Sequence, residues 1–463
     1  MSDLNDAMMR NQSFWQYKYG DYSANAPLAA GTHETDVLVI GAGFTGLTCA
    51  REIRKDDKTK RVMVIDANDI GFGASGRNGG FNMTLFGVEP EVTLLRWGRE
   101  RTQEAQAYMQ KAVEYVKDLI ESEGLDSDYE HTGMLRVAYT DRQVRRLKKT
   151  YKLLTDITRP GSFEYYDADE VRKRLSCPHI KGAIFEPGTG ILDPSKHVRS
   201  LKKLAEREGV EIYENTKVIG ISRQDGSSIV KTDVALIRAK KLVIATNAWT
   251  HGLKSSPGIA SVQAPIWTYQ IVTEPLTAEQ WAGVNWSERM SIEDNRQFVH
   301  YMRITKCGRI TMGGGSIGIE YNDKKMDLWK NEDTWRALES HLKWMFPALK
   351  DIKVHYKWGG CVSANADMTP EIGFIGDRNI IYSTGCIGHG VSLTQLNGRL
   401  IADLVLEKDT PLTKFWIVNR SAIPVPPGAM LRFAGAKLIE GILKAVDFYE
   451  EGNLKKQPED ATN

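Results

Sequence analysis

Residues 35–53 read TDVLVIGAGFTGLTCAREI, and this stretch decides the fold. Its apolar run, Val37 to Ile40, has the length of a strand buried in a parallel sheet. Gly41, Gly43 and Gly46 follow in GxGxxG spacing, and LTCAREI continues as a helix. A second strand, RVMVID, ends at Asp66, twenty residues beyond Gly46. Strand, glycine turn, helix, strand and terminal acid together meet the conditions for a dinucleotide-binding βαβ unit. In that reading Gly41 makes the tight turn, Gly43 admits a pyrophosphate and Gly46 lets the helix pack closely on the strand. The first helical amides, from Phe44 and Thr45, face the phosphates. Asp66, with Ala67 beside it, takes the ribose hydroxyls. This fingerprint serves NAD and FAD alike.

Composition bounds the rest. The 463 residues are enough for two domains, and 41% hydrophobic with 26% charged residues is ordinary for a soluble globular chain. A net charge of +2 argues against a nucleic-acid partner. The five cysteines, Cys49, Cys177, Cys307, Cys361 and Cys386, are far apart and include no CxxC pair. A disulfide framework or metal site is therefore not expected, and a reducing compartment is. With no secretory signal pattern and no apolar run of membrane-spanning length, the expectation is a cytoplasmic protein.

The segment GFGASGRNGG, residues 71–80, begins five residues past Asp66 and holds five glycines. It falls at the carboxyl edge of the expected sheet, where such folds place ligands. A nicotinamide enzyme has no general need for a second glycine loop there, whereas a flavin must be threaded deep into its protein. Ala74, Ser75, Arg77 and the backbone of Asn78, Gly79 and Gly80 are the candidate contacts to phosphate and ring oxygens.

VLVIGAGFTGL followed by GFGASGRNGG resembles the D-amino acid oxidase superfamily of FAD-dependent amine and amino-acid oxidoreductases, and most of all its γ-glutamylputrescine oxidoreductase branch. Later segments match that superfamily in order. GILDPSKHVRSLKKLAEREGVEIYENTKV (190–218) resembles its strand–helix–strand insertion, which implies that Val218 meets the adenine. KLVIATNAWT (241–250) resembles the return under the cofactor, with Ala245 and Thr246 nearest to it. WGGCVSANADMTPEIGFIGD (358–377) resembles the segment leading back to the flavin. STGCIGHGVSLTQLNGRLIADLV (383–405) resembles the last flavin loop and helix, implying contacts from Gly388, His389, Gly390, Val391 and Ser392. A helix beginning there would favour negative charge on a reduced ring.

The implied fold is α/β: a Rossmann-like FAD-binding domain with a second, α+β substrate domain built on an antiparallel sheet. The boundaries expected are residues 1–35 for an N-terminal extension; 36–96, 180–255 and 355–406 for the FAD domain; and 97–179 and 256–354 for the substrate domain. Residues 407–463 form a C-terminal helix and tail. Residues 100–121 have amphipathic spacing, and GMLRVAY, APIWTYQIVTE, FVHYMRIT and GRITMGGG read as strands. The apolar stripe of residues 431–446 is expected to pack on its own domain, with a membrane-surface helix as the alternative.

The resemblance implies non-covalent FAD, a small amine as substrate, and hydride transfer from the C–N carbon to flavin N5. The resulting imine hydrolyses to an aldehyde and ammonia or amine. The electron acceptor, oxygen or another, stays open, because Thr311 and Met312 stand where sarcosine-oxidising members carry a lysine. Tyr269, Tyr301 and His389 are the catalytic candidates, and His300, Arg303 and Trp358 the substrate contacts. Trp358, Gly359 and Gly360 occupy the place of the arginine that clamps an amino-acid carboxylate. An ω-substituted alkylamine such as γ-glutamylputrescine is therefore expected. Oxidation of an amino acid, an N-methyl amine or an aminophosphonate is one alternative, and a flavin-binding protein without amine chemistry is another.

Overall fold

The computed structural model describes residues 8, 11–253, 263–319, 328–421, 423–424 and 429–451. The expected βαβ unit is present. Strand Gly31–Ile40 lies between the parallel strands Ala235–Ile244 and Val62–Ile65, with Glu211–Tyr213 beyond the latter. Asp377–Thr384 continues the parallel sheet on the other side, and Glu371–Ile375 closes that edge antiparallel. A hairpin, Val218–Gln224 with Ser227–Thr232, also branches from Ala235–Ile244. Val37, Leu38, Val39 and Ile40 are all buried, as a doubly covered strand requires.

Helices Phe44–Asp56, Pro194–Arg207 and Gly390–Val405 cover one face of this sheet and share a core with Val37, Val39, Val62 and Val64. Two of them touch through bare backbone. A Cβ on Gly398 would lie 2.7 Å from Thr45 O and 2.8 Å from Thr48 Cβ, so glycine sets how near the two helices run. The expected helix at 100–121 is part of Pro90–Glu123, broken at Gly98 (φ +79°) and ended by left-handed Gly124.

The second sheet runs in the order Val354–Asn365, Gln263–Pro275, Arg309–Gly314, His300–Ile304, Ser291–Asp294, Met134–Ala138, Gly182–Glu186, Glu164–Asp167. Its pairs are antiparallel except for Ser291–Asp294 with Met134–Ala138. Two expected boundaries are corrected here. Gly182–Glu186 and residues 355–365 were assigned to the FAD domain, yet both pair within the second sheet. The ladder from Gln263↔Asn365 to Thr273↔Val354 is what holds the latter there, so the chain returns to the first sheet only after Asn365.

Alternation along these strands separates two faces. Leu135, Val137, Ile292, Met302, Ile310, Met312, Trp267, Tyr269 and Ile271 share a core with Trp335, Leu338 and Leu342 of helix Glu332–Met345. The opposite face carries Arg136, Glu293, Tyr301, Arg303, Thr311, Thr268 and Gln270, and is turned toward the glycine loop.

The last described helix, Ala429–Glu451, departs from expectation. Its polar side meets the body: Glu450 pairs with Arg146, and Asp447 accepts from the amides of Gln297 and Phe298. Of the expected stripe, Leu438 and Ile442 are exposed and Phe433 and Leu443 are half-buried, so the stripe is only partly covered. No helix among the described residues is long and apolar enough to cross a membrane. The tail at 452–463 lies outside the described residues.

Candidate active site

At the carboxyl ends of the parallel strands, a cleft of about 510 Å³ opens against the N-termini of helices Phe44–Asp56 and Gly390–Val405. Most of the residues chosen from sequence line it. Gly41, Gly43, Phe44 and Thr45 come from the first turn, and Asp66 and Ala67 from the end of the second strand. Ala74, Ser75 and Asn78 come from the glycine loop, Val218 from the hairpin, and Ala245 and Thr246 from the central strand. Gly388, Gly390 and Val391 close the far end.

The cleft is built for close approach of a long anionic ligand. Gly41 has φ +105°, and a Cβ there would come within 2.6 Å of Ala245 O. A Cβ on Gly43 would come within 2.8 Å of Ser75 Oγ. That hydroxyl accepts the Phe44 amide at 2.9 Å, holding a loop oxygen at the helix N-terminus. Gly46 packs rather than binds, since its Cβ would lie 1.9 Å from Gly41 O. Asp66 accepts the Ala42 amide at 2.8 Å and the Asn68 amide at 3.0 Å, and burial pushes its carboxyl up to about 6. At the other end, Thr384 Oγ1 is buried without a protein partner. An acid at one end, two helix N-termini and bare glycine backbone between them fit a dinucleotide such as FAD.

The glycine loop is held from outside. Asn78 Nδ2 donates to Ala74 O and Ser75 O, while its Oδ1 accepts the Gly80 amide. Helix Phe14–Tyr19, in the segment read as a mere extension, buttresses it further. Ser13 Oγ donates to Gly76 O at 2.6 Å, Trp15 Nε1 to Asn78 O at 2.9 Å, and Gln16 Nε2 to Gly71 O at 3.0 Å. Arg77 corrects the sequence reading. It is buried, turns away from the cleft, and donates to Phe72 O, Asn11 and Gly359 O, so it braces the loop and does not meet phosphate.

One row of the second sheet crosses above this loop: Arg136, Glu293, Tyr301, Gly313, Gln270 and Trp358 are successive register partners. Tyr301 is edge-on to Phe81 at 5.5 Å and lies beside Gly79. Gly313 leaves it room, since a Cβ there would strike the Tyr301 ring and Gln270.

Other candidates are placed differently. Tyr269 lies on the opposite face, packed against Trp335, with its hydroxyl donating to Leu328 O. His300 is on that face too, 2.5 Å from His341, with Arg296 Nη1 2.7 Å from its Nδ1. Trp358 is fully buried against Phe14 and Trp15, and its Nε1 donates to Arg77 O. Arg303 faces the loop but donates to Gly79 O and Leu192 O, both at 2.6 Å, and stacks over Trp15. Parity along the strand, invisible to a list of aromatic and charged residues, decides Tyr269 and His300, whereas Trp358 and Arg303 face the loop but are taken up by backbone carbonyls.

His389 sits just before helix Gly390–Val405, bonded to the backbone of Gly87 and with Nδ1 buried without a partner. Burial, reinforced by the charge of Arg136, lowers it to about 4, so it is neutral at pH 7. Ser392 Oγ donates to Met83 O and ties the helix start to the strand after the loop. Sequence reasoning missed Gln270, Glu186, Glu293 and the residue 11–16 buttress. Polar residues alternating into a sheet covered on both sides were the available signal for the first three.

Residues 36–404 match the family described as FAD dependent oxidoreductase. The chain is 30% identical over 399 residues to the γ-glutamylputrescine oxidoreductase of Escherichia coli, covering 86% of this chain and 89% of that one. It is 28% identical over 391 residues to the probable oxidoreductase OrdL of Haemophilus influenzae, covering 84% and 86%. The crystal structure of glycine oxidase from Geobacillus kaustophilus superposes with a TM-score of 0.69 at 20% identity, covering 84% of this chain and all of that one.

Proposed function

Because the chain belongs to the family of FAD-dependent oxidoreductases acting on C–N bonds of amines or amino acids, we propose that its substrate is an alkylamine substituted at the far end, of the γ-glutamylputrescine kind. The observation that carries this reading is how the nearby arginines are spent. Arg77 and Arg303 donate to backbone carbonyls, and Arg136 is paired with Glu89. A bidentate clamp on an α-carboxylate needs a free guanidinium fork, and none of these three offers one. The γ-glutamylputrescine oxidoreductase at 30% identity supports the same class.

The flavin, when bound, accepts the hydride from the amine-bearing carbon, which is the difficult part of the chemistry. The chain supplies position and field. Asp66, Ser75 and the Thr45 amide would hold the adenosine and pyrophosphate portions, with the Phe44 amide fixing the Ser75 hydroxyl beside them. Helix Gly390–Val405 presents its positive end to the cleft and favours added negative charge there. Tyr301, Gln270 and the sheet above exclude water and orient the amine. Neutral His389, through its free Nδ1, is placed to accept a hydrogen bond. The test is steady-state aldehyde formation from paired substrates, an ω-substituted alkylamine and its α-carboxylated counterpart. A kcat/KM at least tenfold higher for the amine supports the reading. A preference for the carboxylated partner refutes it.

A further inference from the structure

The row above the glycine loop continues past Tyr301 into a buried group of acids. Glu293, next to Tyr301, and Glu186, two strands farther, flank Arg136. All three are more than nine-tenths buried. Arg136 donates to Glu89 Oε2 at 2.7 Å but stands 3.7 Å from Glu293 Oε2, and that oxygen has no hydrogen-bond partner. Glu186 takes only the hydroxyl of Thr84, at 2.5 Å, itself held by Gln106 at 3.1 Å. Three carboxyls thus share one guanidinium. An independent sign comes from Gln270, 4% exposed on the same row. Its Nε2 is spent on Arg77 O, and its Oε1 is buried without a partner beside the notch at Gly313. Unmet acceptors therefore stand on both sides of Tyr301, at Glu293 Oε2 and Gln270 Oε1, and with three carboxyls to one guanidinium they call for a cation.

We propose that Glu293, supported by Arg136 and Glu186, is the anchor for the protonated nitrogen of the substrate, with Gln270 accepting a second hydrogen bond from it. This rests on the amine reading and names the feature that selects a cation. Burial pushes both Glu293 and Glu186 up to about 7. The groups whose charge acts on Glu293 are Arg136, Glu89 and Glu186, with Asp294 from the opposite face of the same strand; Tyr301 lies beside it, and His389 is near Arg136 from the helix side. Cation binding therefore strengthens as pH rises through about 7, where the anchor becomes ionised.

The test is an anaerobic titration of the FAD-loaded enzyme with n-butylamine, butyrate and butanol, read as perturbation of the flavin absorption. It needs no turnover, so it stands apart from the identity of the oxidised substrate. The expected result is saturable binding of butylammonium, tighter at pH 8 than at pH 6, and no matching response to butyrate. Glu293→Gln weakens it about tenfold or more while flavin content is kept, as loss of a charge-assisted contact requires. Should Glu293→Gln fail to hold FAD, Glu186→Gln and the wild-type choice between cation and anion decide. Butyrate binding as tight as butylammonium, or unchanged affinity in a loaded Glu293→Gln, overturns the proposal.

Discussion

Replacing Gly46 by alanine tests the nucleotide cradle at its tightest point. The added methyl would lie 1.9 Å from Gly41 O, and real Cβ contacts essentially never fall below 3.0 Å, so helix and turn must part by about 1.1 Å. The opposing atom is backbone, and moving it moves the turn that faces the cleft. Overpacking of this kind costs roughly 1–3 kcal/mol, and alanine's better helix propensity returns up to about 1 kcal/mol. A net loss near 2 kcal/mol corresponds to roughly thirtyfold weaker FAD binding. Thermal unfolding is a poor readout, because 463 residues give an unfolding entropy of about 1 kcal/mol per kelvin and a shift of only about 2 °C. The assay is therefore titration of FAD into stripped protein, followed by quenching of flavin fluorescence. Gly435→Ala is the control, since nothing lies within 4 Å of its added methyl. If Gly46→Ala binds FAD as tightly as the parent and Gly435→Ala do, the close-packing account of this motif is wrong.

Arg303→Gln loses two donations to the backbone at Gly79 and Leu192. FAD affinity is expected to fall by about tenfold or more; a change in substrate KM with FAD affinity intact would restore the role first expected of this arginine. Trp15→Ala removes a side chain 1% exposed, with its donation to Asn78 O. A loss of about 3–5 kcal/mol is expected from the cavity, with FAD release at lower denaturant; equal denaturation curves would show that the residue 11–16 buttress is idle. Glu293 has its folded pKa raised from 4.5 to about 7 by burial. The folded state holds that proton more tightly, so the contribution is full below pH 4.5 and is lost as pH rises through about 7. Glu293→Gln should then stabilise the cofactor-free protein at pH 8 relative to the parent by up to about 3 kcal/mol, with no such gain at pH 4. Parallel denaturation curves at both pH values would contradict that sign.

The nucleotide half was legible because its demands are local. Gly41 must turn, Gly46 must touch backbone, and Val37 to Ile40 must be apolar on both faces, all within residues 35–53. The second sheet was legible as strands but not as faces. Trp267, Tyr269 and Ile271 alternate with Thr268, Gln270 and Val272, and both sets are covered, one by helices and the other by the cofactor side. Hydrophobicity alone therefore misled at Tyr269, whose neighbour Gln270 holds the position over the loop. Arg77 was misread for another reason: besides Phe72 in its own loop, its partners Asn11 and Gly359 come from two distant segments, and only the fold brings them together. The parallel pairing of Ser291–Asp294 with Met134–Ala138, which sets Glu293 beside Arg136, likewise has no short-range signature.

The most direct test of the central claim is the visible absorption of the purified protein, recorded without air as amines are added one at a time. The expected result is oxidised-flavin bands that bleach with an ω-substituted alkylamine and stay unchanged with glycine. Flavin bands that no amine bleaches, or that glycine alone bleaches, would contradict it.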